Sequence, residues 1–386
     1  MGNPPAQKFL APPFFKKVEK KNEKMYEFKR IVVKVGSNVL TRRDGTLDVT
    51  RMSALVDQVA ELRRAGVEVI LISSGAVASG RGELGTGQKL DSVSARQLYS
   101  AVGQAKLIMH YVDLFRDYGI ICGQVLTTKE SLGTRGHYLN QKNCMTVMLE
   151  NGVIPIVNEN DTISVTELMF TDNDELSGLV ATMMDAEALV ILSNIDGIYN
   201  GHPDDPGCEV IRRVESGKRS ELTEYIQASR SGFGRGGMQT KYHIARKVAD
   251  EGITVIIANG KRENILPELL KKGSDTLSTR FVPSPKSISG VKKWIAHSDG
   301  FAKGELHINA GAYEALTGPK ATSLLPVGVT EVKGDFEKDE IVGLYYDGQQ
   351  VGVGKASFDS EKVRTMLGQQ GAKPLVHYDY LYLFEN

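Results

Sequence analysis

Short apolar runs alternate with helical patterns along the first two thirds of the chain. The runs are rich in branched residues and cover 31–35, 67–72, 120–126, 153–157, 189–192 and 254–258. Between them, helical periodicity is found at 140–150, at 176–184 and along one face formed by Met52, Leu55, Val56, Val59 and Leu62. Strands that alternate with helices predict an α/β protein with a doubly wound, mainly parallel sheet that has helices on both faces.

The pattern changes near residue 275. Residues 276–288 belong to a stretch rich in Ser, Pro, Gly and Lys that has no periodicity, as expected of a linker. Short strands with glycine turns follow, including a hairpin signal at Asp347-Gly348. We therefore divide the chain into a disordered leader (1–26), an α/β domain (27–275), the linker (276–288) and a small β-rich domain (289–386).

Composition narrows the class of protein. The chain has 386 residues, of which 41% are hydrophobic, and its 47 Lys+Arg balance its 47 Asp+Glu. This balance gives no indication of nucleic-acid or membrane binding, no apolar run is long enough to span a bilayer, and residues 281–386 carry no basic surplus that would suggest an RNA-binding face. The 3 cysteines are widely spaced, which fits a reducing cytoplasm.

Several predicted strands end in small or polar residues. The first run is followed by Gly36, the second by Ser73, Ser74 and Gly75, and the fourth by 158–161. Ligands of open α/β sheets bind at the carboxyl ends of the strands, so these positions are candidate site residues. Taken singly, each has a simpler explanation, because lysines such as Lys34 commonly end strands, and Asp161 and Asp174 stand where helix N-caps are expected.

The segment 232–241, GFGRGGMQTK, is dense in glycine. It does not match a dinucleotide-binding fingerprint, because a polar helical pattern precedes it instead of a strand, and it is not a P-loop. It opens a helix with Met238, Tyr242, Ala245, Val248 and Ala249 on one side. The segment predicts an anion site at a helix N-terminus with Lys241 in the first turn, the alternative being an exposed hinge.

Six segments, VVKVGSNVL, LISSGAVASG, IPIVNENDTIS, TDNDELSGLVA, SNIDGIYN and GRGGMQTK, resemble in order and spacing the amino acid kinase family, at the branch that phosphorylates glutamate. Residues 323–342 are similar to the core of a PUA domain, a small pseudobarrel. The resemblance implies the amino acid kinase fold and the ATP-dependent phosphorylation of the side-chain carboxylate of L-glutamate, the first step of proline biosynthesis.

Two other functions stay open. The same fold serves enzymes that phosphorylate N-acetylglutamate, carbamate or UMP, although the PUA-like tail and the VNENDT segment disfavour them. An RNA-binding protein with a degenerate kinase domain would have lost Lys34, Asp174 or Lys241, and all three are present.

The resemblance also assigns roles to residues. It implies that Lys34, Lys241 and Asp174 are catalytic, with Asp172 as a second candidate partner of the lysines, and that Ser74, Asp161 and Asn173 bind glutamate. It implies a nucleotide site formed by Lys34, Gly36, Ser193, Asn194, Arg235, Gly236, Gly237, Met238, Gln239, Thr240 and Lys241. Two departures, Asn194 where many members have Asp, and Arg235 where a small polar residue is common, leave nucleotide preference open.

Ligands and partners follow from the same resemblance. It implies ATP with Mg²⁺ bridging the phosphate oxygens and no metal site formed by protein ligands alone. Proline is expected as a feedback inhibitor, and the chain is expected to form a homo-oligomer. Because an acyl phosphate hydrolyses readily, glutamate-5-semialdehyde dehydrogenase is an expected partner. A cytoplasmic location and the absence of membrane attachment complete the expectation.

Overall fold

A computed structural model describes residues 25–85, 91–129, 132, 135–164, 172–201, 205, 207–215, 237–285, 294–295, 297, 302–318 and 322–384. Two predicted site residues, Arg235 and Gly236, lie outside these ranges, as do residues 1–24 of the predicted leader. Tyr26 is described and is buried, and its hydroxyl donates to Glu61 Oε1 at 2.6 Å. The described residues therefore include Met25 and Tyr26, the last two residues of the segment predicted as a leader.

The described part of the larger domain contains an eight-stranded sheet in the order β3-β4-β2-β1-β5-β7-β8-β6. Its strands are β1 (Arg30–Val35), β2 (Glu68–Ser73), β3 (Cys122–Thr127), β4 (Ile154–Glu159), β5 (Ala188–Ser193), β6 (Arg213–Val214), β7 (Thr254–Asn259) and β8 (Thr279–Phe281). The six predicted strands correspond to β1–β5 and β7, and all of these run parallel. β8 runs antiparallel to β7. The predicted α/β class with a mainly parallel sheet is confirmed.

Helices cover both faces of this sheet because its strands are apolar on both sides. Along β1, Val32 belongs to one core cluster and Val33 to the other, as the alternation of a strand requires. The helices are α1 (Ser37–Leu40), α2 (Val49–Arg64), α3 (Ala76–Leu84), α4 (Ser92–Arg116), α5 (Arg135–Glu150), α6 (Asn173–Met183), α7 (Met238–Asp250) and α8 (Ile265–Leu270). Within the described ranges, no helix is both long enough and apolar enough to cross a membrane.

The second sheet has the order β10-β9-β11-β12-β13. Its elements are β9 (Gly304–Ile308), α9 (Ala310–Thr317), β10 (Val329–Gly334), β11 (Ile341–Tyr346), β12 (Gln349–Ala356), α10 (Ser360–Met366) and β13 (Val376–Leu383). Its own core includes Leu306, Val342 and Leu344. This β-rich unit matches the small domain expected at the C-terminal end.

Described residues between the two sheets take part in a strand and in the apolar core. Residues 279–281 of the predicted linker form β8, so the main sheet extends beyond residue 275. Trp294 and Ile295 are buried, and they belong to the same apolar cluster as Leu176 of α6 and Ile341 and Val353 of the second sheet. The Trp294 Nε1–H also donates to Leu132 O at 3.3 Å. Trp294 and Ile295 thus belong to a core that includes residues of both sheets.

Candidate active site

A cavity of about 340 Å³ lies at the carboxyl ends of β1, β2 and β4. Among its lining residues are five of the strand-end residues singled out from the sequence, Ser74, Gly75, Asn158, Glu159 and Asp161, together with Asn173 and Arg96. Strand ends separated widely in sequence meet here because the strands are parallel and adjacent in the sheet.

Lys34, Asp174 and Lys241 form a buried ion-pair triad beside this cavity. Lys34 Nζ lies 2.6 Å from Asp174 Oδ1, and Lys241 Nζ donates to Asp174 Oδ2 at 2.9 Å. The Asp174 side chain has no exposed surface, and those of the lysines are 6% and 10% exposed. Burial raises the pKa of Asp174, but the two ammonium groups outweigh it and hold that pKa below its usual value. The Asp174 carboxylate therefore holds two ammonium groups, that of Lys34 on β1 and that of Lys241 on α7.

The two aspartates at the start of helix α6, Asp172 and Asp174, have different roles. Asp172, and not Asp174, is its N-cap: Asp172 Oδ1 accepts hydrogen bonds from the backbone N–H groups of Asp174 at 2.8 Å and Glu175 at 3.1 Å. Asn173 Nδ2 donates to Ser74 Oγ at 3.0 Å and to Asn158 Oδ1 at 3.1 Å. The first turn thus directs Asn173 towards the cavity and Asp174 towards the lysines.

Asp161 does not cap a helix; it binds an arginine. Arg96 donates to Asp161 Oδ1 from Nε at 2.9 Å and from a terminal nitrogen at 2.5 Å, and that nitrogen also lies 3.4 Å from Glu159 Oε2. Ser100 Oγ donates to Asp161 Oδ2 at 3.2 Å, and Gln104 Nε2 donates to Glu159 O at 3.1 Å. Helix α4 therefore supplies a row of donors to the end of β4.

The sequence analysis did not single out Arg96. A signal was present: Arg96, Ser100 and Gln104 follow one another at intervals of four, so three polar residues share one face of an otherwise packed helix. Ser100 and Gln104 are buried. A buried polar stripe of this kind indicates a polar partner facing the helix.

Two glycines, Gly36 after β1 and Gly237 before α7, lie next to the elements that carry the two lysines. A Cβ atom on Gly36 would stand 3.0 Å from Leu192 O and 3.5 Å from Lys34 Nζ. Gly237 precedes α7 and provides no side-chain cap, so Met238, Gln239 and Thr240 present backbone N–H groups of the first turn next to Lys241. Ser193 and Asn194 follow β5, where Ser193 Oγ lies 3.4 Å from Asn194 Oδ1. Gly36, Ser193 and Asn194 thus lie at neighbouring strand ends.

The described residues contain no group of three or more His, Cys, Asp or Glu side chains placed to hold a metal ion. Both oxygens of Asp174 face lysines, and Oδ1 of Asp172 caps α6. Three of the four carboxylate oxygens of Asp172 and Asp174 are therefore already occupied by cations or by backbone N–H groups.

Asp172→Asn is expected to stabilise the fold increasingly as pH rises. Burial, followed by the charge of Asp174, raises the pKa of Asp172 to about 6, and its Oδ2 is buried without a hydrogen-bond partner in the described ranges. A group whose pKa is higher in the folded state than in the unfolded state costs stability as pH rises between the two values. The variant's advantage in free energy of unfolding should grow between roughly pH 4 and pH 6, to on the order of 1–2 kcal/mol.

Urea denaturation at several pH values measures this difference. Asp91→Asn is the matched control, since Asp91 also caps a helix through two backbone N–H groups but its pKa is lowered, mainly by its hydrogen bond from Ser94. A difference between Asp172→Asn and wild type that does not vary with pH would contradict the prediction.

Comparison with known proteins places this geometry in a family. The family model described as amino acid kinase family matches residues 29–259, and the PUA domain model matches residues 304–378. Glutamate 5-kinase of Bacteroides thetaiotaomicron is 70% identical over 92% of this chain and 99% of that protein. Glutamate 5-kinase of Chlorobaculum tepidum is 46% identical over 92% of this chain and 98% of that protein.

Among solved structures, an isopentenyl phosphate kinase is 17% identical, with a TM-score of 0.47 over 66% of this chain and 100% of that chain. UMP kinase from Bacillus anthracis is 15% identical, with a TM-score of 0.45 over 66% of this chain and 96% of that chain.

Proposed function

The chain belongs to the amino acid kinase family and, within it, to the glutamate 5-kinases, and from this premise we propose that it transfers the γ-phosphoryl group of ATP to the side-chain carboxylate of L-glutamate. The product would be L-glutamyl 5-phosphate, the first intermediate of proline biosynthesis. The observation that carries the proposal is the triad of Lys34, Asp174 and Lys241 beside a polar cavity at the strand ends.

The two lysines account for the chemistry of the transfer. Two anions must approach each other, and negative charge spreads over the oxygens of the transferring group, so preorganised cations lower the barrier. Lys34 and Lys241 are held for this purpose by Asp174, which orients both without contacting the substrate. The acceptor carboxylate has an ordinary pKa of about 4.3, so it is ionised at neutral pH and requires no general base.

Glutamate is proposed to occupy the cavity lined by Ser74, Asn173 and Asp161. The Asp161 carboxylate accepts a hydrogen bond from the α-ammonium group of glutamate, and Arg96 positions that carboxylate by donating two hydrogen bonds to Oδ1. Ser74 and Asn173, which are hydrogen-bonded to each other, offer polar groups to a carboxylate of the substrate. The side-chain carboxylate then points to the triad.

ATP is proposed to bind on the other side of the triad. Its phosphates approach Gly36, Gly237 and the backbone N–H groups of Met238, Gln239 and Thr240. Arg235 and Gly236, which are also predicted to bind the nucleotide, lie outside the described residues. Ser193 and Asn194 line the neighbouring strand end. Mg²⁺ that enters with ATP would be held mainly by phosphate oxygens and water, since both oxygens of Asp174 and Oδ1 of Asp172 already have partners, and it would offset phosphate charge.

A panel of acceptors tests the proposal. ADP release is measured with L-glutamate, N-acetylglutamate, aspartate and UMP, and hydroxylamine is added to trap an acyl phosphate as a hydroxamate. We expect preference for glutamate and hydroxamate formation with it. A higher kcat/KM with N-acetylglutamate or UMP would overturn the assignment.

Asp161→Asn is expected to raise the KM for glutamate about tenfold or more, because it removes a charge-assisted hydrogen bond to the α-ammonium group. The KM for ATP should change little. Asp113→Asn on the exposed face of α4 is the control, since Asp113 forms a surface ion pair with Arg116. An increase confined to the KM for ATP would show that Asp161 does not bind glutamate.

The remaining proposals concern inhibition, a partner enzyme, assembly and location. Proline is proposed to inhibit the enzyme as the end product, and glutamate-5-semialdehyde dehydrogenase to accept the short-lived acyl phosphate. We also propose a homo-oligomer in the cytoplasm, where the three cysteines, all free, would stay reduced. Sedimentation of the purified chain, and coupled flux with the dehydrogenase, test assembly and transfer.

A further inference from the structure

A second charged group lies at the strand ends, on the side of β5 away from β1. Asp196 Oδ1 accepts hydrogen bonds from Asn259 Nδ2 at 3.1 Å and from Arg262 Nε at 2.7 Å. Both donors come from the end of β7 and the turn after it. The hydrogen bond from Arg262 is the main cause of a lowered pKa for Asp196, so the carboxylate is charged at neutral pH.

Only one oxygen of this carboxylate is in use. Within the described part of the chain, both hydrogen bonds end on Oδ1, and Oδ2 accepts none, while the side chain remains 19% exposed. Two donors on Oδ1 fix the rotation of the carboxylate, so Oδ2 keeps a constant direction. A fixed, charged and partly exposed acceptor is suited to a hydroxyl group of a ligand.

The location indicates which hydroxyl. β1, β5 and β7 are successive neighbours in the sheet, and adjacent strands are about 4.8 Å apart, so the end of β7 lies roughly 10 Å from the end of β1. A triphosphate whose γ-phosphoryl group lies at Lys34 spans a comparable distance. Its ribose would therefore reach the ends of β5 and β7. Two polar side chains follow β5 there, Asn194, which is neutral, and Asp196, which is negatively charged.

We propose that Asp196 accepts a hydrogen bond from a ribose hydroxyl of the phosphoryl donor and so makes the enzyme selective for ribonucleotides. Arg262 and Asn259 are positioning residues, which hold the carboxylate through Oδ1. This inference rests on the proposed function, because it places the sugar relative to a γ-phosphoryl group at Lys34.

The test compares phosphoryl donors. ATP, 2′-deoxy-ATP and 3′-deoxy-ATP are compared at saturating glutamate in the wild type and in Asp196→Ala and Asp196→Asn. The wild type should prefer ATP over at least one deoxy analogue by about tenfold in kcat/KM, the value of one charge-assisted hydrogen bond. Asp196→Ala should lose this preference, Asp196→Asn should keep part of it, and the KM for glutamate should not change.

Asp335→Asn is the matched control, since Asp335 also pairs with an arginine, Arg364, but on the C-terminal sheet. Arg262→Gln should weaken ATP binding less than Asp196→Ala, because the acceptor itself remains. Equal use of ATP and both deoxy analogues by the wild type would overturn the inference even if every variant misfolded. A folded Asp196→Ala variant that keeps the wild-type preference for ATP over the deoxy analogues would also overturn it. Absence of any glutamate phosphorylation would refute the proposed function itself, which is a different outcome.

Discussion

Lys34→Ala and Lys241→Ala are each expected to lower kcat by about 10²-fold or more, because each removes one preorganised cation from the charge that develops during transfer. The KM values should change less, since the cavity lined by Ser74 and Asp161 remains. Lys→Arg should restore little activity, because a planar guanidinium replaces a compact ammonium group at sites where the lysine side chains are only 6% and 10% exposed.

Steady-state kinetics with ATP and glutamate varied separately measure both constants. Lys142→Ala is the control, because Lys142 also pairs with an aspartate, Asp185, but on the surface of α5. A kcat close to that of the wild type in either active-site variant would exclude that lysine from catalysis.

Asp174→Asn is expected to lower both activity and stability. The substitution leaves two buried ammonium groups without their shared counter-charge, and removing one partner of a buried ion pair costs about 3–5 kcal/mol. The pKa of Asp174 is lowered in the folded state, so its stabilising effect is present above the ordinary pKa of Asp, about 3.9, and is lost as pH falls through the folded-state value. The stability difference from wild type should therefore shrink in strong acid.

A double variant separates the two effects. Asp174→Asn with Lys241→Met removes one of the stranded charges, so its loss of stability should be smaller than the sum of the single losses, while activity stays low. Unfolding in denaturant at neutral pH, together with single-turnover kinetics, provides the comparison. Strictly additive losses of stability would mean that Asp174 and Lys241 do not interact in the folded protein.

The parallel sheet could be predicted from sequence because its strands are buried on both faces and carry nearly uninterrupted apolar runs. β1 and β5 are examples: each is bounded by polar or small residues, and each is within one residue of its predicted limits at either end. β6 and β8 were not predicted, since strands of two and three residues have no periodicity to detect. For the same reason the linker was predicted to begin before β8.

The sequence did not predict which side chains of the candidate site contact each other. Asp161 and Asp174 have the same local signal, a carboxylate before a helical pattern, but the structure pairs one with Arg96 and the other with two lysines. Such pairings join residues far apart in sequence, and they depend on which helix packs over which strand end. Arg96 was not predicted because its partner, Asp161, follows β4 and is 65 residues away in sequence.

The shared core has a consequence for synthesis. During translation the residues of β1–β5 and α6 leave the ribosome first, but the apolar cluster that contains Leu176 also includes Trp294, Ile295, Ile341 and Val353, which emerge much later. Until then the nascent catalytic domain carries an uncovered apolar surface, which is a target for chaperones and proteases. Slow elongation through the last hundred or so residues would lengthen that exposure, so codon usage in the 3′ part of the gene would affect the yield of folded enzyme.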